Sequence, residues 1–179
     1  MDKNTFGQLV MDNERQLYRI AKSILKNDED CADAAQEAVK KAFEKLDTLR
    51  EDRYAKTWLI KILIRVCYDL LAEQKKETRL EENCKWNQKE KDNYEDLYEA
   101  LFTLEKEFRV VLVLHYLEGY QMAEISELLG IPEGTVKSRL YRGRKKLQEL
   151  LSKETGNMKS GKNGKRVIRT EQKKERRES

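Results

Sequence analysis

The sequence predicts an all-α protein of two small helical domains joined by a flexible charged linker, with a helix-turn-helix in the C-terminal domain. Apolar residues recur at helical spacing on both sides of a charged stretch that has no period of its own. The 179 residues include one Pro and few β-branched runs, which disfavours a sheet. The expected boundaries are 1–76 for the N-terminal domain, 77–94 for the linker, 95–152 for the C-terminal domain and 153–179 for a basic disordered tail.

The N-terminal domain is expected to contain three amphipathic helices. Residues 5–26 carry the first apolar stripe, and the polar run 27–30 then breaks it and offers an N-cap for the next helix. Residues 31–46 form the second helix, and a third runs from about 54 to 74. Three helices of this length can bury one compact core against one another.

The linker and the tail are rich in charge and poor in apolar residues. Trp86 is a bulky apolar residue inside the linker, either a docking point or a chance exposed Trp. From residue 153 onward ten Lys or Arg face four Glu, so the tail carries +6 and the rest of the chain −2. The tail is either a source of non-specific phosphate attraction or only a solvated terminus.

Residues 122–144 show the pattern of two short helices with a sharp turn between them. Gly130 suits the end of the first helix, and Pro132 can start a second but cannot continue the first. In the second helix a buried stripe leaves a basic, hydroxyl-bearing outer face that suits a DNA major groove, made of Lys137, Ser138, Tyr141, Arg142 and Lys145. The alternative is an ordinary helical hairpin with a solvated basic face.

Composition excludes several classes of function. No apolar segment approaches the roughly 20 residues of a membrane span, and the N-terminus lacks an apolar signal core, so a cytoplasmic protein is expected. Three scattered Cys and a lone His115 indicate neither a disulfide framework nor a metal site, and Cys67 is expected to be a small core residue. No phosphate loop or nucleophile–base motif is present, so we expect no enzymatic activity and no cofactor.

Three segments together resemble bacterial RNA polymerase sigma factors of the extracytoplasmic-function group. Glu124-Ile125 with 129–140 is similar to that family's helix-turn-helix, and 33–43 to its polymerase-binding helix. Residues 57–63, with Arg65 and Asp69-Leu70 beyond them, are similar to its promoter-opening segment. Arg65 stands where many members of the family carry Asn.

The resemblance implies that the N-terminal domain binds core RNA polymerase. Asp33, Gln36 and Glu37 present acceptor oxygens on one helix face, and the implied partner is the coiled-coil clamp of the large polymerase subunit, with the flap as a further contact. Composition alone would favour an acidic solvated face instead.

The resemblance also implies that the third helix recognises and melts the minus-10 element. A base that is unstacked from DNA can regain roughly 1–3 kcal/mol by stacking on an aromatic side chain. Trp58 is expected to pack in the core, whereas Lys61, Arg65 and a loop over 72–77 would contact the strand and hold one flipped base. The full candidate set is Tyr54, Trp58, Lys61, Arg65, Gln74, Lys75 and Lys76.

The C-terminal helix-turn-helix would recognise the minus-35 element. Base reading is expected chiefly from Lys137, Ser138, Tyr141 and Arg142, and phosphate contacts from Thr135, Arg139 and Lys145. The backbone amides at 133–135 form a helix N-terminus that attracts an anion.

The expected function is that of an alternative sigma factor in an envelope or extracytoplasmic stress response. It would direct promoter-specific initiation and be restrained by an anti-sigma factor, which is membrane-bound in many family members. The alternative is a helix-turn-helix regulator that binds operator DNA independently of polymerase. A nucleic-acid enzyme is disfavoured by the missing metal site.

Overall fold

A computed structural model describes the backbone of residues 1–77 and 95–171, and the side chains of residues 1–74 and 99–152. Within these ranges the chain is helical and contains no strand, which confirms the predicted all-α class. The expected linker falls on residues outside the described ranges, as do Trp86 and the last eight residues of the tail.

The N-terminal unit contains four α-helices: α1 (Lys3–Asp12), α2 (Glu14–Leu25), α3 (Asp28–Glu44) and α4 (Ala55–Glu77). Two short 3-10 turns, Leu46–Thr48 and Asp52–Tyr54, connect α3 to α4. The helices bury one apolar core, whose fully enclosed members include Phe6, Ile20, Ala34, Leu59, Ile60, Leu63 and Cys67. The core position expected for Cys67 is therefore confirmed.

The single first helix expected over 5–26 is wrong, because the chain turns at Asn13. The Asn13 amide donates to the Leu9 carbonyl at 2.8 Å, and its backbone leaves the helical region at φ −112° and ψ 10°. An Asn side chain competes for backbone groups in this way and ends a helix without disturbing the apolar spacing around it.

The start of α3 agrees with the sequence prediction, whereas the end of α4 does not. Asn27 caps α3 by accepting a hydrogen bond from the Glu29 amide at 2.9 Å, which confirms the predicted N-cap. The loop expected over 72–77 is wrong, because α4 continues as a helix to Glu77. Its last turn carries Glu, Gln and Lys, which all favour helix, and nothing in it breaks the backbone ladder.

The C-terminal unit begins with α5 (Glu95–Thr103) and α6 (Lys106–Leu112), and α6 runs into a π-helical turn, Val113–Leu117. The helix-turn-helix follows as α7 (Met122–Leu129) and α8 (Glu133–Glu171).

Two glycines position the C-terminal helices. Gly130 takes the left-handed backbone at φ 64° and ends α7, as its sequence position predicts. Gly143 lets α8 cross closely over α6, because a Cβ there would lie 3.1–3.3 Å from side-chain atoms of Leu112 and Phe108.

The helix α8 is longer than the sequence suggested. Its backbone is helical to Glu171, so the disorder expected from residue 153 is wrong for residues 153–171. The stretch after Pro132 contains no further Pro and is dense in Lys, Arg and Glu, which favour helix and outweigh its few Gly.

The two units lie against each other. Helix α2 contacts α6 and the π-helical turn, and α4 contacts α7. Buried apolar residues of both units form one continuous cluster, from Phe6 and Leu63 to Val111 and Ile125. This contact was not foreseen from the sequence, which suggested only two domains on a flexible connector.

Candidate nucleic-acid interface

The outer edge of α8 carries most of the predicted groove-reading side chains. Val136 and Leu140 are buried beneath it and Leu147 is half-buried, so the predicted stripe anchors the helix to its own unit. On the opposite side Lys137, Arg142 and Lys145 are exposed, and Tyr141 is 64% exposed. The structure therefore brings these four side chains together on one accessible edge.

Three other predicted residues of α8 are less accessible. Thr135, Ser138 and Arg139 are half-buried. The Ser138 hydroxyl donates to the Thr135 carbonyl at 2.9 Å, which commits its proton and leaves its oxygen as an acceptor. A hydroxyl in that state can accept from a base amino group but cannot donate to a guanine.

The predicted melting residues of α4 line a cleft of about 510 Å³ between the two units. Trp58, Lys61 and Arg65 form one wall, and 127–130 at the end of α7 form the other. Lys61 and Arg65 are exposed, whereas Trp58 is half-buried with its ring 6.3 Å from that of Phe6. Trp58 thus both packs on the core and faces the cleft.

Tyr54 and Gln74, two further predicted melting residues, are not among the described residues that line this cleft. Tyr54 is 52% exposed and lies under the Arg53 guanidinium at 4.8 Å from its ring centre. Gln74 donates to the Asp30 carboxylate at 2.9 Å and so ties the end of α4 to the start of α3. Lys75 and Lys76 lie on helical backbone, and their side chains are outside the described ranges.

The predicted polymerase-binding residues meet on α3. Asp33, Gln36 and Glu37 line one shallow hollow with Lys40 and Leu70. Glu37 also pairs with Lys41 one turn away, with 3.4 Å between the charged atoms. The surface is acidic and partly neutralised, with an aliphatic floor, so it suits a partner helix that carries cations beside an apolar residue.

Arg109 is a functional candidate that sequence reasoning missed. It is 1% exposed, and its Nε donates to the Ser23 carbonyl of the N-terminal unit at 2.6 Å. Its Nη1 donates to the Leu104 and Phe102 carbonyls at 3.0 and 3.3 Å. Burial lowers the pKa of Arg109 to about 10, so it remains a cation at neutral pH. The available signal was a lone Arg in an apolar stretch, 108–114.

A second polar contact joins the two units beside Arg109. The guanidinium of Arg19 on α2 donates two hydrogen bonds to the Glu118 carboxylate, from Nε at 2.6 Å and from Nη2 at 3.2 Å. The Glu118 side chain is 3% exposed, so this ion pair is shielded from water on one side. Glu118 follows the π-helical turn, and His115 within that turn donates from Nδ1 to the Tyr120 carbonyl at 2.8 Å.

Across the described helices, none combines the length and the apolar character that crossing a bilayer requires. Those same residues include no group of three or more His, Cys, Asp or Glu placed to hold a metal ion.

Comparison with known proteins gives two family models, in chain order. Sigma-70 region 2 matches residues 9–77, and sigma-70 region 4 matches residues 94–147. These ranges contain the α3 and α4 surfaces and the helix-turn-helix, respectively.

The chain is also similar to sigma factors over most of their length. The chain is 37% identical to the RNA polymerase sigma factor SigV of Bacillus subtilis, over 81% of this chain and 90% of that protein. It is 31% identical to the ECF RNA polymerase sigma factor SigM of Mycobacterium tuberculosis, over 84% and 79%. A crystal structure of the sigma factor RpoE with the anti-sigma factor NepR, from Bartonella quintana, matches with a TM-score of 0.72 and 26% identity. That match covers 83% of this chain and 97% of RpoE.

Proposed function

Because this chain belongs to the sigma-70 family, in its extracytoplasmic-function group, we propose a specific role for each of its surfaces in transcription initiation. The protein is an alternative sigma factor that directs promoter-specific initiation by RNA polymerase. The N-terminal unit, 1–76, acts as domain 2, and residues 95–152 act as domain 4.

Domain 4 selects the minus-35 element through the outer edge of α8. The observation that carries this proposal is the buried stripe under α8 opposite an edge of exposed Lys137, Tyr141, Arg142 and Lys145. A guanidinium can donate two hydrogen bonds to a guanine, which discriminates by about 1–3 kcal/mol. Arg142 and Lys137 therefore read bases, while Arg139 and Lys145 hold the backbone, and Thr135 adds a hydroxyl near the helix N-terminus.

Domain 2 recognises and opens the minus-10 element through the α4 wall of the cleft. Lys61 and Arg65 hold phosphates of the separated strand, and Trp58 offers part of its ring to an unstacked base. Tyr54 adds an exposed aromatic surface at the start of α4. The hydrogen bond between Gln74 and Asp30 makes Gln74 a support for the helix end, rather than a direct strand contact.

Core polymerase supplies the chemistry and the spacing. The α3 hollow with Asp33, Gln36 and Glu37 takes the coiled-coil clamp of the large subunit, and domain 4 takes the flap. The chain outside its tail carries a net charge of −2, so it binds DNA weakly alone and well once polymerase holds both domains along one promoter. An anti-sigma factor restrains it by covering these surfaces, as part of an envelope stress response.

The decisive experiment is reconstitution with core polymerase. Promoters are selected from random DNA by core polymerase plus the full-length chain, and run-off transcription is then measured on the selected sequences. We expect start-site-specific transcripts only when core and chain are both present. A chain that binds the DNA equally well without core, and only alters transcription by an existing holoenzyme, would instead be an operator-binding regulator.

A further inference from the structure

The helix α8 continues far beyond the part that is assigned to base reading. Its backbone is helical over 39 residues, which is roughly 58 Å at about 1.5 Å per residue. We propose that a segment near its end, residues 159–169, is a second DNA contact, which binds phosphates of the duplex flanking the minus-35 element without reading sequence. This inference rests on the proposed function, because it takes the edge of α8 as the part that enters the major groove.

Four cations near the end of α8 share a helical face with the groove-reading edge. They recur at intervals of three and four residues and are called the basic stripe here: Lys159, Lys162, Arg166 and Arg169. With 3.6 residues per turn, the four positions fall within about 40° of Lys137 around the helix axis. Between Lys137 and the stripe, Gln148 and Ser152 lie on the same face and are exposed. The stripe therefore extends the accessible edge of α8 in the same direction.

The spacing of these cations does not serve the stability of the helix itself. Carboxylates three or four positions from a cation stabilise a helix, and like charges at that spacing destabilise it. Each stripe cation has another Lys or Arg at that spacing and no Asp or Glu. Gly156, Gly161 and Gly164 lower helix propensity further. A polyanion lying along the stripe would offset both effects, which is why the pattern indicates an anionic partner.

Duplex DNA is the polyanion that fits a straight stripe of cations. It carries one negative charge per about 1.7 Å of its axis, and binding releases the counterions that surround it. The acidic residues of this part of α8 avoid the stripe, since Glu149 and Glu154 fall about 100° or more from Lys137 around the axis. The stripe is also continuous with the exposed edge that is assigned to DNA. An acidic protein surface, such as one on polymerase, is the rival that the experiment must exclude.

The length of α8 places the stripe outside the groove that the reading edge enters. A recognition helix contacts bases with its N-terminal residues. Residues 159–169 begin roughly 25 Å and end roughly 40 Å beyond Arg142 along the helix, at about 1.5 Å per residue. The major groove is only about 12 Å wide. Because a straight helix leaves the curved surface of a duplex, flanking DNA reaches the stripe by bending toward it, and the phosphate contacts offset the cost of that bend.

The test measures promoter binding by core polymerase reconstituted with full-length chains that lack two lysines. Lys159→Gln with Lys162→Gln removes two cations of the stripe. Lys153→Gln with Lys165→Gln is the matched control, because these lysines flank the first pair in the sequence but fall about 80° or more from Lys137. Both pairs lose the same charge and replace Lys with Gln, which has nearly the same helix propensity. A general effect of charge or of helix content is therefore common to both.

The stripe pair should weaken binding, and the control pair should change it little. Loss of two phosphate contacts should lower affinity about tenfold or more at about 0.1 M salt, and the slope of log affinity against log salt should become shallower by about two. Uncharged methylphosphonate linkages are then placed over about ten base pairs on one side of the minus-35 element at a time. For one of the two sides, the difference between wild type and stripe pair should disappear.

Three results would overturn the second DNA contact. Equal losses from both pairs would show that net charge alone matters, and unchanged binding by the stripe pair would show that the stripe has no role. A loss from the stripe pair that persists with either side of the duplex neutralised would place the partner on polymerase.

The proposed function is scored separately, by run-off transcription with the same holoenzymes at saturating concentration. The stripe pair should start at the same sites and prefer the same promoters as the wild type, because phosphate contacts carry no sequence information. Failure of the wild type to initiate would contradict the proposed function, whatever the binding shows. Promoter-specific initiation by a wild type whose affinity matches that of the stripe pair would contradict the second DNA contact alone.

Discussion

The two surfaces assigned to DNA differ in how accessible the fold leaves them. The edge of α8 carries Tyr141 and Arg142, whose side chains are exposed. The melting face of α4 instead shares its cleft with the end of α7. Under the proposed function, the helix that reads the minus-35 element is therefore exposed in this conformation, whereas the face that opens the minus-10 element lies within a cleft.

This difference matches what each surface must do. A recognition helix binds intact duplex, and a premature encounter with DNA costs little because binding without polymerase is weak and reversible. A surface that rewards unpaired bases would also capture unrelated single strands. If α4 has the proposed role, the neighbouring end of α7 would limit such unwanted binding.

The largest effects should come from the support beneath each surface. Leu63→Ala truncates a fully buried side chain of α4, and Ile125→Ala truncates one of α7. Each change should cost about 2–5 kcal/mol of stability. Because the two units share one continuous apolar cluster, each change should lower one common unfolding transition. Differential scanning calorimetry measures this. Two separate unfolding transitions, each shifted by only one of the two substitutions, would show that the two units unfold independently.

Arg142→Ala should have the next largest effect, and only on specific binding. Loss of a two-donor contact to guanine should weaken the selected promoter by about 1–3 kcal/mol, or roughly 5- to 150-fold, while an unrelated promoter changes little. Competition binding with the reconstituted holoenzyme measures the ratio. Arg50→Ala, which removes an exposed Arg of the N-terminal unit away from α8, is the control. Equal losses on both promoters would make Arg142 a phosphate contact.

Lys61→Ala with Arg65→Ala should produce a smaller and different effect. Removing two phosphate contacts should reduce strand opening several-fold. The slope of open-complex formation against salt concentration, on logarithmic axes, should become shallower by about two released counterions. Permanganate reactivity of unpaired thymines measures opening. Duplex binding through the minus-35 element should be unchanged, and a loss there would contradict the assignment of separate tasks to the two surfaces.

Asp28→Asn should give the smallest change, a small loss of stability. Asp28 is the first residue of α3 and pairs with Lys22 near the end of α2. Burial alone would raise the pKa of Asp28, but hydrogen bonds from Lys22 and Tyr18 outweigh it and hold the pKa below 3.8. The carboxylate therefore stabilises the fold above about pH 4, and this contribution disappears as pH falls through the lowered pKa. The half-exposed site limits it to about 1 kcal/mol or less.

Thermal melts at pH 5 and at pH 3 measure this contribution. The wild type should lose more stability than Asp28→Asn between the two values. Parallel losses in both proteins would show that the Lys22–Asp28 contact does not contribute to anchoring the end of α2.

Local sequence patterns predicted the features that depend only on residues close together along the chain. The turn at Gly130, the cap at Asn27 and the stripe of Val136 and Leu140 all follow from spacing within one or two helical turns. The α3 set, Asp33, Gln36 and Glu37, is brought together by the same periodicity.

The parts that depend on distant residues could not be predicted. Arg109 meets Ser23 across 86 positions, and Arg19 meets Glu118 across 99, so no local pattern signals either contact. Asn13 divides α1 from α2 through a side-chain bond to Leu9 that apolar periodicity does not register. The hydrogen bond from Gln74 to Asp30 joins two different helices, so no local pattern around Gln74 signals it.

The acceptors around Arg109 have a consequence for the evolution of this protein. All three are peptide carbonyls, at Ser23, Phe102 and Leu104, and a carbonyl is present whatever amino acid occupies the position. Substitution at these three sites therefore cannot delete the bond or demand a compensating change at position 109. Among descendants of this chain, paired changes would therefore not reveal these hydrogen bonds, although a change at position 102 would also remove the ring whose centre lies 5.4 Å from the guanidinium carbon.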